Sequence, residues 1–246
     1  MRAAICILAG AVAAACGACG GSAGVATSST TAQVAPATAS TPTVPPPATA
    51  APRIVPPRPA IEQWRIPLTP QRRAETVAYA ERHYGLRRAR IARPRVIVEH
   101  LTVNDSAAAT YAVFAPDVPD GELNELPGLC SQFVIDRDGT IFQLTPVRFM
   151  CRHTVGLNWT AIGIEHVGYA EQEVLDDPAQ MRASLRLTRW LRCRLKIPVR
   201  DVIGHAESLA SPYHHERVAG LRSQTHADWQ PWAMRRYRAM LRRDGC

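Results

Sequence analysis

Several acidic and imidazole side chains interrupt or end apolar runs, where polar side chains are unexpected. Glu165 directly follows the apolar run Ala161–Ile164, which has the composition of a buried strand. Three further stretches are of the same kind: His100 lies near the end of VIVEHLT, His205 near the end of DVIGHAE, and His226 and Asp228 in THADW. Burying an unpaired carboxylate costs several kcal/mol, so buried acids are candidates for chemistry. We predict that these four stretches converge on one metal ion.

The elements that must position these side chains follow from local patterns. Apolar runs separated by turn signals predict strands at residues 95–102, 132–136, 140–144, 158–168 and 199–204, with Asp138-Gly139 as a hairpin turn. Capping residues and amphipathic runs predict helices from Pro70 to about Tyr84, from Pro178 to before Pro198, and from Pro231 onwards. Strands alternating with helices predict an α/β fold, in which residues 60–246 form a single domain with a central mixed β-sheet covered by helices.

One long segment has little pattern. Residues 104–127 are rich in Asp, Pro and Gly and predict a long loop, with one helical turn near residues 107–113. Loops of this length inside a compact domain are usually functional. The sequence leaves open whether this loop covers a groove.

The first 59 residues carry targeting and linker signals. Met1-Arg2 and the apolar run 3–15 predict a signal peptide, residues 1–19, whose apolar run is too short to span a bilayer as a helix. Small residues precede Cys16 and Cys19, as at a bacterial lipoprotein cleavage site. We therefore expect export to the cell envelope (periplasm or cell surface) with a lipid anchor on Cys19 or Cys16; secretory cleavage without a lipid is the alternative. Residues 20–59, rich in Ala, Thr and Pro, predict a disordered linker.

The cysteines that follow the leader number four, which in an exported domain suggests disulfides. Cys130 and Cys151 flank the predicted hairpin and are natural partners. That pairing leaves Cys193 to bond the C-terminal Cys246. Four buried thiols are the alternative.

The composition is basic, with 29 Lys and Arg against 21 Asp and Glu and a formal net charge of +8. Such an excess is often only a solvated surface, although it would also attract anionic cell-wall polymers. Nucleic acid is a poor candidate partner, because the chain has no recognition-helix or stacking motif and begins with an export signal.

The order of these motifs resembles the type 2 N-acetylmuramoyl-L-alanine amidases, which share their fold with the peptidoglycan recognition proteins. The similarity covers roughly Pro94 to Trp229 and rests on a strand ending in His, the DRDGT hairpin, HTVGLN, AIGIEHVG, VIGHAE and a late HAD. AIGIEHVG and VIGHAE are its most specific parts.

The resemblance implies a catalytic Zn²⁺ held by His100, His205 and Asp228, a set that leaves one tetrahedral position open for water. It implies that Glu165 is the catalytic acid–base group and that His226, where the family often has lysine, stabilises the oxyanion. His153 and Asn158 would contact substrate. Each of three residues also has an alternative role: Asp228 as a helix cap, His226 as the metal ligand instead, and Glu165 as the ion-pair partner of an arginine. Of the remaining histidines, His166, His214 and His215 are expected on the surface or in loops, and His83 lies in the first predicted helix.

The implied reaction is hydrolysis of the amide between N-acetylmuramic acid and L-alanine in peptidoglycan or a muropeptide, by a monomer. The chain departs from the family pattern at Arg152, which replaces a tryptophan, and in Asp-Trp-Gln after Ala227, where the family often has Asp-Pro-Gly. The stretch between His205 and Asp228 is also longer than in compact members. A non-catalytic peptidoglycan-binding module and a zinc hydrolase of another amide bond are the rival hypotheses.

Overall fold

A computed structural model describes residues 54–243 and 246. These residues contain six strands: β1 Glu62–Gln63, β2 Val96–Leu101, β3 Phe133–Ile135, β4 Ile141–Gln143, β5 Ala161–His166 and β6 Val202–Gly204. They form one sheet in the order β1-β4-β3-β5-β2-β6. The hairpin pair β3–β4 is antiparallel and the other neighbouring pairs are parallel. The mixed sheet was predicted correctly. The predicted signal peptide, Cys16, Cys19 and most of the predicted linker lie outside the described residues.

Five α-helices accompany the sheet: α1 Pro70–Tyr84, α2 Ala107–Phe114, α3 Glu171–Asp176, α4 Pro178–Leu195 and α5 Pro231–Arg242. Short 3₁₀ turns cover residues 199–201, 205–210 and 219–221. The side chains of Thr69 and Asp177 accept hydrogen bonds from N–H groups in the first turns of α1 and α4, which otherwise lack partners. Among these described helices, none has both the length and the apolar composition that crossing a membrane requires.

Alternation along the strands sends side chains to two different environments. Ile97 of β2 and Ile162 of β5 join the largest core, together with residues of α4 and α5. Val98 and Ala161, one position away from them, pack together in a separate cluster on the opposite face. That opposite face also carries α2, which packs against β3. The side chains that follow at the strand ends are therefore divided between the two faces.

Several expectations from the sequence are confirmed and others are corrected. Disulfides join Cys130 to Cys151 and Cys193 to Cys246, as paired above. The expected helical turn in the long loop is the two-turn helix α2. The predicted strand 199–204 begins only at Val202, because a 3₁₀ turn precedes it. The sequence analysis missed β1 and α3, which are too short to show a clear period.

Candidate active site

The ends of neighbouring parallel strands bring the predicted metal ligands together. His100 is the next-to-last residue of β2, and His205 directly follows β6, which pairs with β2. Nδ1 of His100 lies 3.4 Å from Oδ2 of Asp228, and Nδ1 of His205 lies 3.3 Å from Oδ1 of the same carboxylate. One ligand atom from each residue can be chosen so that all lie within 4.8 Å of one another. The three side chains therefore form one cluster.

Backbone contacts fix Asp228, which comes from the segment before α5. Its carbonyl accepts a hydrogen bond from N–H of Ala206, and its carboxylate accepts one from N–H of Leu101. The next residue, Trp229, is buried and lies so close to Gly204 that a Cβ there would be 1.8 Å from the Trp229 carbonyl oxygen. Glycine at 204 is thus needed for the third ligand to reach the strand edge.

The chemistry of this donor set fits a divalent metal. Burial by itself would raise the pKa of Asp228, but hydrogen bonds and charge interactions with the two histidines outweigh it and hold this pKa well below its usual range. Burial lowers the pKa of His205 to about 4, which favours the neutral imidazole that binds metals. Burial also acts to lower the pKa of His100, but the charges of Glu165 and Asp228 outweigh it and raise this pKa, so a metal would displace a proton there. Two imidazole nitrogens and one carboxylate form a ligand set that Zn²⁺ accepts.

Hydrogen bonds behind His100 would keep its Nδ1 free. Its Nε2 lies 3.0 Å from Nδ1 of His153 and 3.2 Å from Oγ1 of Thr154. Such partners fix the tautomer and orientation of a ligating imidazole. The sequence analysis missed Thr154, although it directly follows His153 in HTVGLN.

Glu165 stands next to this cluster. It is the register partner of His100 in the β2–β5 pair and is only 7% exposed. Burial raises its pKa to about 7, while the charge of His100 opposes this shift and that of Asp228 adds to it. Within the described residues, no protein group donates a hydrogen bond to its carboxylate. The group is therefore a buried carboxyl that faces a cleft and is free to exchange a proton.

The two predicted substrate contacts lie in the wall of this cleft. Asn158 is buried: its Oδ1 accepts hydrogen bonds from N–H of His153 and Thr154, and its Nδ2 donates to the hydroxyl of Tyr79. Asn158 therefore shapes the loop that carries His153. Burial and the neighbouring histidine charges hold the pKa of His153 well below its usual range, and its ring packs against Gly163, where a Cβ would be 2.9 Å away. Their contact with substrate stays a prediction.

His226 lies at the mouth of the site. Its ring stacks on His205 with centroids 4.7 Å apart, and its Nε2 lies 2.9 Å from Oε2 of Glu122. Its side chain is about half exposed. The structure thus brings it beside the metal cluster, and its part in catalysis stays a prediction.

These groups line a cleft of about 370 Å³, a size typical of small-ligand sites. Its other walls are Tyr79 of α1, Val113 and Phe114 of α2, and residues 120–123 of the long loop. From the sequence, only the length of the loop indicated a function. Glu122 was not predicted as a site residue, because an exposed glutamate in a loop cannot be recognised as part of a cleft without the fold.

The buried His166 lies outside the cleft. His166 was expected on the surface, but it is fully buried on the opposite face of β5. Its Nδ1 donates to the carbonyl of His100, and its Nε2 lies 2.8 Å from Oγ of Ser184 in α4. The expectation failed because the following residues, Val167 and Gly168, still belong to the packed interior and not to a surface turn.

Comparisons with known proteins give matches of two kinds. Solved structures to which this chain is similar include the endolysin amidase LysCS from Clostridium intestinale (22% identity over 75% of this chain and 96% of that one, TM-score 0.48). They also include the amidase AmiD from E. coli in complex with anhydro-N-acetylmuramic acid-L-Ala-D-gamma-Glu-L-Lys (23% identity, 47% of this chain and 50% of that one, TM-score 0.35). A third is the peptidoglycan recognition protein PGRP-SA from Apis mellifera (18% identity, 47% and 73%, TM-score 0.37).

A search of curated proteins finds no match. The profile of the N-acetylmuramoyl-L-alanine amidase family (Amidase_2), in contrast, matches residues 90–231, more than half of the chain. The matched segment contains every residue of the cluster described above. The chain belongs to this family.

Proposed function

We propose that the protein is a zinc-dependent N-acetylmuramoyl-L-alanine amidase, which hydrolyses the amide between the lactyl group of N-acetylmuramic acid and L-alanine in peptidoglycan or its fragments. Family membership supports the substrate class. The observation that carries the catalytic part is the position of Glu165, a buried carboxyl without a protein donor beside His100, His205 and Asp228. A protein that only bound peptidoglycan would have no use for this costly arrangement.

In this proposal His100, His205 and Asp228 hold the zinc ion. When bound there, zinc would supply Lewis acidity toward the lactyl carbonyl and lower the pKa of water. Thr154 and His153 hold the His100 ring so that Nδ1 faces the metal position.

Glu165 acts as the proton carrier. It accepts a proton from the attacking water and passes it to the leaving amide nitrogen, so that the amine departs neutral. Burial raises the pKa of Glu165 to about 7, and the positive charge of a bound cation would lower it again, which favours the carboxylate that accepts the proton. In this proposal His226, whose ring stacks on His205, supplies an N–H donor to the oxyanion.

The setting of the enzyme is also part of this proposal and depends on the sequence alone. We propose export to the cell envelope, with a lipid anchor on Cys19 or Cys16 and a flexible linker that lets the monomeric domain reach its substrate. Labelling with a radioactive fatty acid, compared between the natural chain and variants with serine at either cysteine, tests the anchor.

The activity is tested by incubating the purified protein with a defined muropeptide and with purified sacculi, before and after chelation. Mass spectrometry should show free stem peptide that begins with L-alanine, and zinc should restore the activity of chelated protein. Cleavage at a peptide bond would support a hydrolase of another amide instead. Binding to sacculi without any product, in protein shown to contain zinc, would support a non-catalytic module.

A further inference from the structure

The long loop is held at its neck by a buried arginine of α1. We call residues 115–129 the cleft loop. The guanidinium of Arg72 donates hydrogen bonds to the carbonyls of Phe114, at 3.0 Å, and of Gly128 and Leu129, at 3.1 and 3.0 Å. Arg72 is fully buried, and its donors therefore tie the two ends of the loop together. The cleft loop has the closed neck of a compact Ω-loop.

A second buried arginine holds the head of the cleft loop. The guanidinium of Arg152 contacts the carboxylate of Asp120 and the carbonyls of Glu125 and Pro127. Asp120 in turn accepts hydrogen bonds from N–H of Glu122, at 3.0 Å, and of Leu123, at 2.7 Å. Arg152 is the residue at which this chain departs from the family's tryptophan. Arg152 and the cleft loop therefore belong together, because the guanidinium of Arg152 holds the head of the loop in place.

The tip of the ordered loop reaches across the cleft. Oε2 of Glu122 lies 2.9 Å from Nε2 of His226, and Nε2 of Gln224 donates to Oε1 of Glu122 at 3.1 Å. Both partners belong to the segment that carries Asp228, on the other side of the metal cluster. Glu122 thus bridges two walls of the cleft beside the metal position.

We propose that Glu122 is a specificity-determining residue that favours small soluble muropeptides over interior positions of polymeric peptidoglycan. This inference rests on the proposed function. Glu122, Gln224 and His226 all line the cleft of about 370 Å³, so their contacts narrow it beside the candidate metal ligands. In this inference a free fragment fits the narrowed cleft, whereas a continuous glycan strand needs a longer open path and is hindered by the Glu122 contacts.

The test compares kcat/KM on a soluble muropeptide with kcat/KM on purified sacculi for the zinc-loaded natural chain, Glu122→Ala and Glu122→Gln. The contacts of Glu122 are half exposed, so each is weak, and we expect Glu122→Ala to raise the sacculus-to-muropeptide ratio by roughly threefold to tenfold. Glu122→Gln keeps a polar contact with Gln224 but removes the charge that faces His226. Its sacculus-to-muropeptide ratio should therefore lie between those of the natural chain and Glu122→Ala.

Glu81→Ala is the matched control. Glu81 is also about half exposed and forms an ion pair with Arg87 at 3.0 Å, but it does not line the cleft. Its ratio should equal that of the natural chain. An equal ratio for Glu122→Ala and Glu81→Ala would overturn the proposal, as would a lower ratio for Glu122→Ala.

Binding measurements separate this inference from the proposed function. In a Glu165→Gln background, affinity for the muropeptide and sedimentation with sacculi can be measured without turnover, with and without Glu122→Ala. If the natural chain releases no peptide, the proposed function fails, and the ratio of the two affinities still tests Glu122. Relative affinity for sacculi should rise on Glu122→Ala, and an unchanged ratio would again contradict the inference.

Discussion

The two faces of the sheet carry the same residue types in opposite roles. Glu99 and His100 lie near the end of β2, and Glu165 and His166 end β5, so alternation places one Glu and one His on each face. His100 and Glu165 face the cleft. Glu99 and His166 lie on the face covered by α4 and α5, and both are fully buried.

Hydrogen bonding distinguishes the pairs. On the covered face, a chain of contacts of 2.7 to 3.0 Å runs from Glu99 through Thr188, Tyr237 and Ser184 to His166. Helix side chains and the carbonyl of His100 thus form hydrogen bonds with this pair, and one carboxylate oxygen of Glu99 has no hydrogen-bond partner. In the cleft, the carboxylate of Glu165 has no protein donor among the described residues, and Nδ1 of His100 faces Asp228. A buried acid becomes available for chemistry when its neighbours leave it accessible, and residue type alone does not decide this.

The largest effect should follow from removing a metal ligand on the cleft face. Asp228→Ala leaves two imidazoles without the carboxylate that both of them contact, so we expect bound zinc to fall to trace levels and amidase activity to fall to background. Elemental analysis of the dialysed protein measures the metal. His166→Asn, on the covered face, should retain zinc, and full zinc content in Asp228→Ala would show that the cluster is not the metal site.

Replacing each of the two buried glutamates, Glu165 in the cleft and Glu99 on the covered face, tests the difference between the two faces. Glu165→Gln should retain zinc but lower kcat by roughly 10²–10⁴-fold, because the amide cannot carry a proton between water and the leaving nitrogen. Glu99→Gln should lower kcat far less. Steady-state rates on a soluble muropeptide measure both, and a larger loss in Glu99→Gln would reverse the roles assigned to the two faces.

The covered face should affect stability in a pH-dependent way. Burial raises the pKa of Glu99 to about 8 from an ordinary value of 4.5. The folded chain therefore keeps a proton that the unfolded chain loses, and this contribution to stability, on the order of a few kcal/mol, disappears as pH rises from about 4.5 to about 8.

Glu99→Gln stays neutral throughout this range and should lack that loss. The measurement is the free energy of unfolding in urea at about pH 5 and about pH 8, compared between the natural chain and the variant. Parallel pH dependence in the two proteins would mean that Glu99 is ionised in the folded state.

His166 should affect the free energy of unfolding at acidic pH, on the other side of the pH range from Glu99. Burial lowers its pKa to about 3 from 6.5. Between these two pH values the unfolded chain binds a proton at His166 and the folded chain does not. The free energy of unfolding therefore falls as pH drops from about 6.5 to about 3. In His166→Asn this acid-side loss should become smaller in the same urea measurement, whereas an unchanged acid limb would assign the loss to other groups.

The smallest effect should come from the middle of the covered network. Tyr237→Phe removes the hydroxyl that joins Ser184 to Thr188, so each of these buried hydroxyls loses one of its hydrogen-bond partners, which should cost about 1–3 kcal/mol of unfolding free energy. Zinc content and kcat should not change. Tyr169→Phe, at an exposed tyrosine, is the control, and equal stabilities of the two variants would mean that the network contributes nothing.

Much of this arrangement could be predicted because it depends on local patterns. The caps Thr69 and Asp177, the Asp138-Gly139 turn and the apolar runs before His100 and His205 each act through neighbours in sequence. The ligand set His100, His205 and Asp228 followed from the resemblance to the amidase family, and the two histidines stand near the ends of predicted strands. β1 and α3 could not be predicted, because two and six residues are too few to establish a period.

The sequence by itself determined that acids and imidazoles stand near the ends of buried strands and that a long loop with little pattern follows the first of these strands. Only the tertiary structure decided which Glu and which His face a cleft, that Arg72 and Arg152 hold the loop, and that Glu122 crosses to His226. The physical reason is that strand alternation separates adjacent residues onto two faces without saying which face will be covered. The covering helices and loop are joined to those strands by contacts between residues far apart in the chain.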